Sequence, residues 1–129
     1  MIVLDASAAT ELVLRTPTAA RLAARIGEHV IHAPHIIDLE VCSALRALEK
    51  SRAIASADAD LALTKFQDLQ VVRVAPSLLV DRIWALRGKL TPYDASYIAL
   101  AEALHAPVIT CDGKLARTAG HSAAIEVLS

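Results

Sequence analysis

Ile2-Val3-Leu4-Asp5-Ala6-Ser7 stands almost at the start of the chain, and its reading decides the fold. Three apolar residues, two of them β-branched, read as a short buried strand that ends at an acid. The residues from Ser7 to Leu14 then read as a helix. The same grammar recurs downstream. Val30-Ile31 forms a second strand closed by Pro34, and Val71 to Val74 a third that ends near Pro76. Val108 to Thr110 is a fourth, followed by Asp112-Gly113, and Ile125 to Leu128 is the last.

The intervening segments carry helical signals. Thr16 is placed to cap a helix that opens at Pro17 and stops at Gly27. Ile36 to Lys50 is amphipathic, with Ile37, Val41, Ala44, Leu45 and Leu48 in one stripe. Ser56 caps the next helix, which carries Leu61, Leu63, Phe66 and Leu69. Ser77 to Leu90 reads as another, with Trp84 in its apolar stripe, so Trp84 and Phe66 are both expected in the core. Thr91-Pro92-Tyr93-Asp94 opens a helix to about His105, with Thr91 as N-cap and Asp94 third, as in a capping box. A short helix follows around Lys114 to Ala119. Short apolar strands alternating with helices predict an α/β fold with a parallel sheet. About four to five strands and about seven helices are expected, two helices in each of the first three crossovers.

Composition narrows the class. A chain of 129 residues fits one domain, 1–129, and is long enough to build a core without disulfides. Its hydrophobic fraction of 55% and net charge of −1 exclude a disordered chain and any overall basic signature. Cys42 and Cys111 offer no disulfide framework and are expected as free buried thiols. The first residues lack the pattern of a signal peptide, and no apolar run approaches the ~18 residues of a membrane span. A soluble cytoplasmic protein is expected.

In open parallel sheets, ligands bind outside the carboxyl ends of the strands. Asp5 and Asp112 end strands at that rim, Glu40 lies early in the helix after the second strand, and Asp94 opens its own helix. Each has an ordinary reading. Asp5 and Asp94 suit helix starts, and Asp112-Gly113 is a common turn dipeptide. Glu40 is harder to place so, because it borders an apolar stripe and the sequence offers it no obvious partner. Converging carboxylates repel unless a cation is shared, and hard oxygen ligands favour Mg²⁺ or Mn²⁺. Ser7 and Thr110, each two residues from an acid, are placed to orient a carboxylate or a water.

Asp5-Ala6-Ser7, Glu40 after Pro34, Thr91-Pro92-Tyr93-Asp94-Ala95 with Tyr97, and Thr110-Cys111-Asp112 with Leu115-Ala116 together resemble the PIN domain. More narrowly they resemble the VapC-type toxins of bacterial toxin–antitoxin pairs, over nearly the whole chain. The resemblance implies a three-layer PIN-like fold and a Mg²⁺- or Mn²⁺-dependent endoribonuclease. It also implies a homodimer silenced by a cognate antitoxin. It assigns Asp5, Glu40, Asp94 and Asp112 as metal ligands or their close supports.

RNA cleavage needs cations for phosphates, and Arg15, Arg46, Arg52, Arg82, Arg87, Lys89 and Lys114 are candidates. With few aromatics, grip on RNA is expected from backbone and shape rather than from a stacking platform. The five histidines show no ligand spacing. A phosphoacceptor receiver domain is disfavoured, because Ala75-Pro76 rather than an Asp follows the third strand. A haloacid-dehalogenase-like phosphatase is disfavoured by Ser7, where Asp-x-Asp is required. A non-catalytic domain that only binds a protein or RNA stays open. The expected chemistry is attack by a metal-activated water, leaving 5′-phosphate and 3′-hydroxyl ends.

Overall fold

The computed structural model describes residues 1–129. Its elements are β1 (Ile2–Leu4), α1 (Ala6–Leu14), α2 (Ala19–Ile26), β2 (Ile31–Pro34), α3 (Ile37–Lys50), α4 (Ser56–Asp68) and β3 (Val71–Val74). A 3-10 turn at Pro76–Leu78 leads to α5 (Val80–Ala85), then α6 (Pro92–Leu104), β4 (Val108–Thr110), α7 (Gly113–Ala116) and β5 (Ile125–Val127). The five strands form one parallel sheet in the order β3-β2-β1-β4-β5. β1 lies at its centre, with Val3 opposite His32 on one side and Val108 on the other. A central parallel strand is covered on both faces, and Ile2, Val3 and Leu4 are accordingly sealed from solvent. The edge strand β3 leaves Val72 and Arg73 exposed.

Helices cover the sheet in two groups. α1, α2, α3 and α4 pack on one another, while α6 packs against α5 and along β1, β2 and β4. The run Ala95 to Ala101 in α6 is buried throughout, and its alanines permit that helix to lie close to the sheet. Because parallel strands all point one way, the ends of β1, β2 and β4 share one rim, and α1, α3 and α7 start there.

The sequence reading holds in its element order and departs in detail. Thr16 does not cap α2: its N–H and hydroxyl both turn back to the Glu11 carbonyl, closing α1, and α2 starts at Ala19. Ser56 is the first residue of α4, with Ala55 at the cap position. The segment 77–90 is no continuous helix, because the chain leaves helical geometry at Leu79 and again after Ala85. Leu79, Leu86 and Leu90 turn inward, and Trp84, two residues before Leu86, points out at 65% exposure. Phe66 is buried as expected, whereas Trp84 is not a core residue. Both cysteines are free, but Cys42 is exposed and only Cys111 is partly covered. No helix is long and apolar enough to cross a membrane.

Candidate active site

Asp5 follows β1 directly and is held in place through both carboxylate oxygens. Oδ1 accepts from the Ser7 hydroxyl at 2.7 Å and from the Ala8 N–H at 3.0 Å. Oδ2 accepts from the Thr110 hydroxyl at 2.5 Å, across the β1–β4 pair. The bond to Ala8 is an N-cap for α1, so the ordinary reading of Asp5 is true as well. Capping does not account for Thr110, which lies 105 residues away and is itself fully buried. Ser7 extends the lattice: its oxygen stands 3.2 Å from Thr110 Oγ1 and accepts the Cys111 N–H at 3.0 Å.

Asp112 is fixed from the same strand. Its N–H donates to Thr110 Oγ1 at 2.9 Å, and its Oδ1 accepts the Lys114 N–H at 2.9 Å, capping α7. Asp94 sits on the first turn of α6, where its N–H donates to Thr91 Oγ1 at 3.2 Å. The reciprocal half of a capping box is missing, and the Asp94 carboxylate instead faces Lys114, with Oδ2 3.7 Å from Nζ. Glu40 lies in the first turn of α3, half-buried. Its partner is Tyr97, a buried residue of α6 whose hydroxyl donates to Oε1 at 2.6 Å.

Electrostatics join these groups into one site. Burial pushes the Asp5 carboxyl above its ordinary range against the pull of its hydrogen bonds, and the charge of Asp112 adds to the rise. Burial likewise raises Glu40, opposed by the Tyr97 bond and reinforced by the charges of Asp94 and Asp5. Burial and the Glu40 carboxylate together hold the Tyr97 phenol firmly protonated. Burial pushes the Cys111 thiol up to about 11, with Glu11 and Asp5 contributing, which makes it a poor nucleophile. Asp5 and Glu40 therefore sense the other acids, Asp112 and Asp94, across four chain segments. In this conformation no three acidic, His or Cys side chains converge closely enough to chelate an ion. The rim is a set of coupled carboxylates with hard-oxygen chemistry rather than a preformed cage.

Ser7 and Thr110, read from sequence as orienting groups, do hold Asp5. Tyr97 was not assigned a role by the residue pattern. Its signal was its spacing, one turn after Asp94 on the same helix. Of the aromatic residues, Phe66 and Tyr97 are buried while Trp84 and Tyr93 are exposed. Among the basic candidates, Arg82 is bound to Glu102 and Arg87 lies over the Trp84 ring. Lys114 alone pairs with a rim carboxylate.

Comparison with known proteins bears on this arrangement. The PIN domain family model matches residues 2–121. Ribonuclease VapC12 of Mycobacterium tuberculosis is 42% identical over 129 residues, covering 100% of both chains. Ribonuclease VapC9 of the same organism is 42% identical over 118 residues, covering 92% of this chain and 91% of its own. Among solved structures, PAE2754 from Pyrobaculum aerophilum superposes with a TM-score of 0.69 at 29% identity, covering 98% of this chain and 83% of its own. The structure described as Mycobacterium tuberculosis VapC20, a sarcin-ricin-loop-cleaving toxin, shares the fold with a TM-score of 0.67 at 19% identity, covering 100% of each chain.

Proposed function

The chain belongs to the PIN-domain family and, within it, to the VapC ribonucleases, and from that premise we propose that it is a Mg²⁺- or Mn²⁺-dependent endoribonuclease. In this reading it is a cytoplasmic toxin, one catalytic unit over residues 1–129, working as a homodimer and silenced by a cognate antitoxin. The observation that carries the reading is Asp5. This buried carboxylate is gripped by Ser7, Ala8 and Thr110, and it lies in the fields of Asp112 and Glu40. An acid placed only to cap a helix needs neither the Thr110 bond nor acidic neighbours.

The donor set fits a hard divalent cation. All four acids are oxygen donors, and the charge of Asp112 on Asp5, and of Asp94 and Asp5 on Glu40, adds to the rise that burial gives those two carboxyls. Asp5, Asp94 and Asp112 would hold the ion, with Glu40 as ligand or close support. The chemistry such an ion supplies when bound is a water of lowered pKa and neutralisation of the phosphate's charge. This chain's own part is positional. Thr110 and Ser7 fix Asp5, and Tyr97 fixes Glu40 Oε1, leaving Oε2 to take the proton of the attacking water. Water adds at phosphorus, the P–O3′ bond breaks and the departing 3′-oxygen takes a proton from solvent, giving 5′-phosphate and 3′-hydroxyl ends. A second reading, a non-catalytic binding domain, draws on the fact that no three ligands converge as they stand.

Cleavage of a mixed RNA pool, with Mg²⁺ and with chelator, decides between the two. Asp5→Asn, Asp94→Asn and Glu40→Gln keep shape and remove charge, and each is expected to lower the rate by on the order of 10²-fold or more. Asp58→Asn, on the exposed first turn of α4, is the control. Equal cleavage by wild type and Asp5→Asn, or activity indifferent to chelator, overturns the metal-nuclease reading.

A further inference from the structure

Lys114 occupies a singular position among the basic residues. Its backbone N–H binds Asp112 Oδ1 at 2.9 Å, while its ammonium stands 3.7 Å from Asp94 Oδ2. One residue thus engages two of the four rim acids, one through its backbone and one through its side chain, and no other cation pairs with any of them. The two attachments differ in kind. The backbone bond is short and anchors the residue to the end of β4. The ion pair is beyond hydrogen-bond distance, and the Lys114 side chain is 63% exposed. An exposed pair of this geometry is weak and readily exchanged. A lysine is a mobile point charge on a flexible four-carbon stem, suited to changing partners in a way that a bidentate arginine is not.

We propose that Lys114 is a substrate-phosphate-binding residue that Asp94 holds at the rim until a divalent cation takes that carboxylate. The proposal rests on the metal-nuclease reading and adds a residue with two linked roles. A cation that claims Asp94 must displace the ammonium, so Lys114 competes with it. The Lys114 backbone stays anchored to Asp112, so the displaced ammonium stays within one side chain's reach of the acids, where the phosphodiester backbone of RNA must approach to be cut. It then supplies positive charge against a site that is otherwise acidic and would repel that backbone. Of the other basic residues named from sequence, Arg82 is engaged with Glu102 and Gly120, and Arg87 with Trp84.

Lys114→Met and Lys114→Arg test this in the full chain. Mn²⁺ binding is measured by calorimetry without RNA, and kcat/KM on a mixed-sequence RNA oligonucleotide is measured over a range of salt. Lys114→Met should bind Mn²⁺ about threefold more tightly, the scale of an exposed ion pair. Its kcat/KM should fall about tenfold, chiefly through KM, and the slope of log(kcat/KM) against log salt should shrink by about 0.7, one phosphate contact on single-stranded RNA. Lys114→Arg should keep the salt slope. Unchanged Mn²⁺ affinity or an unchanged salt slope in Lys114→Met overturns the proposal and leaves the nuclease reading intact. A wild type that neither binds Mn²⁺ nor cuts RNA overturns both.

Discussion

Tyr97 is the residue whose removal separates structure from chemistry most cleanly. Its hydroxyl is Glu40's hydrogen-bond donor, and that bond pulls the Glu40 carboxyl down against the upward push of burial. Tyr97→Phe takes away the donor and leaves the ring. Glu40 should then climb further, so a rate that needs ionised Glu40 should show its acid limb displaced to higher pH. A pH–rate profile of the two proteins checks this, and coincident limbs would remove Glu40 from the chemistry. At this scale the acids were legible in the sequence and their partners were not. Asp5, Asp94 and Asp112 stand at strand ends and helix starts, which local patterns mark. The Tyr97–Glu40 bond spans 57 residues and the Thr110–Asp5 bond 105, and only the tertiary fold brings those pairs together. Trp84 was misread for a related reason. An apolar side chain in a plausible stripe reads as core, until the break at Leu79 rotates the stripe away.

Among the elements, α5 and the loop before β5 are tied to α6 by charge as well as by the buried leucines that flank α5. Glu102 of α6 accepts from Arg82 of α5 at 2.7 and 3.0 Å and from the Ser122 N–H at 2.9 Å. Arg82 also reaches the Gly120 carbonyl at 3.2 Å. Arg82 above all, then the Ser122 donors, bring the Glu102 carboxyl down to about 2. A carboxyl lowered on folding stabilises the fold at pH values above its ordinary range near 4.5, and that contribution is lost as pH falls through about 2. Glu102→Gln should therefore destabilise the protein by about 1–2 kcal/mol at neutral pH, with Arg82 partly exposed and so partly screened. The difference from wild type should vanish in strong acid, as read by urea unfolding at several pH values. Elements with their own periodicity were legible in the sequence: β1, α3, α6 and β4 stand within a residue of their expected bounds. The segment 77–90 was not, because a hydrophobic count sees neither the break at Leu79 nor the Arg82–Glu102 ion pair that ties its short helix to α6.

The whole molecule is expected to associate and to respond to metal. Leu78, Val80 and Trp84 are exposed, the last two one turn apart on α5, which leaves an apolar face for a second copy. Light scattering at micromolar concentration should give twice 13.7 kDa, and a species of 13.7 kDa alone would count against the dimer. The response to metal is the sharper test. A cation that binds the folded state alone stabilises it by RT ln(1 + [L]/Kd), or ~2.7 kcal/mol at a hundredfold excess over Kd. The rise in melting temperature should be larger for Mn²⁺ than for Mg²⁺, following the usual affinity order. Asp112→Asn isolates the charge, because Asn caps a helix about as well as Asp and α7 keeps its N-cap. Asp5 is raised on folding, by burial first and by Asp112 in part. A carboxyl raised on folding favours the native state below its unfolded pKa, and that advantage is lost as pH rises through the folded value. At neutral pH the ionised pair thus weighs against the fold when no metal is added. Asp112→Asn should raise the metal-free melting temperature at pH 7, leave it little changed in acid, and blunt the gain from Mn²⁺. If the acids were separate helix caps, the substitution would be neutral or slightly destabilising and Mn²⁺ would do nothing. Melting curves of both proteins, with and without Mn²⁺ at two pH values, discriminate the two. A wild type indifferent to Mn²⁺ would reduce the rim to two helix caps, Asp5 and Asp112, beside two unrelated acids.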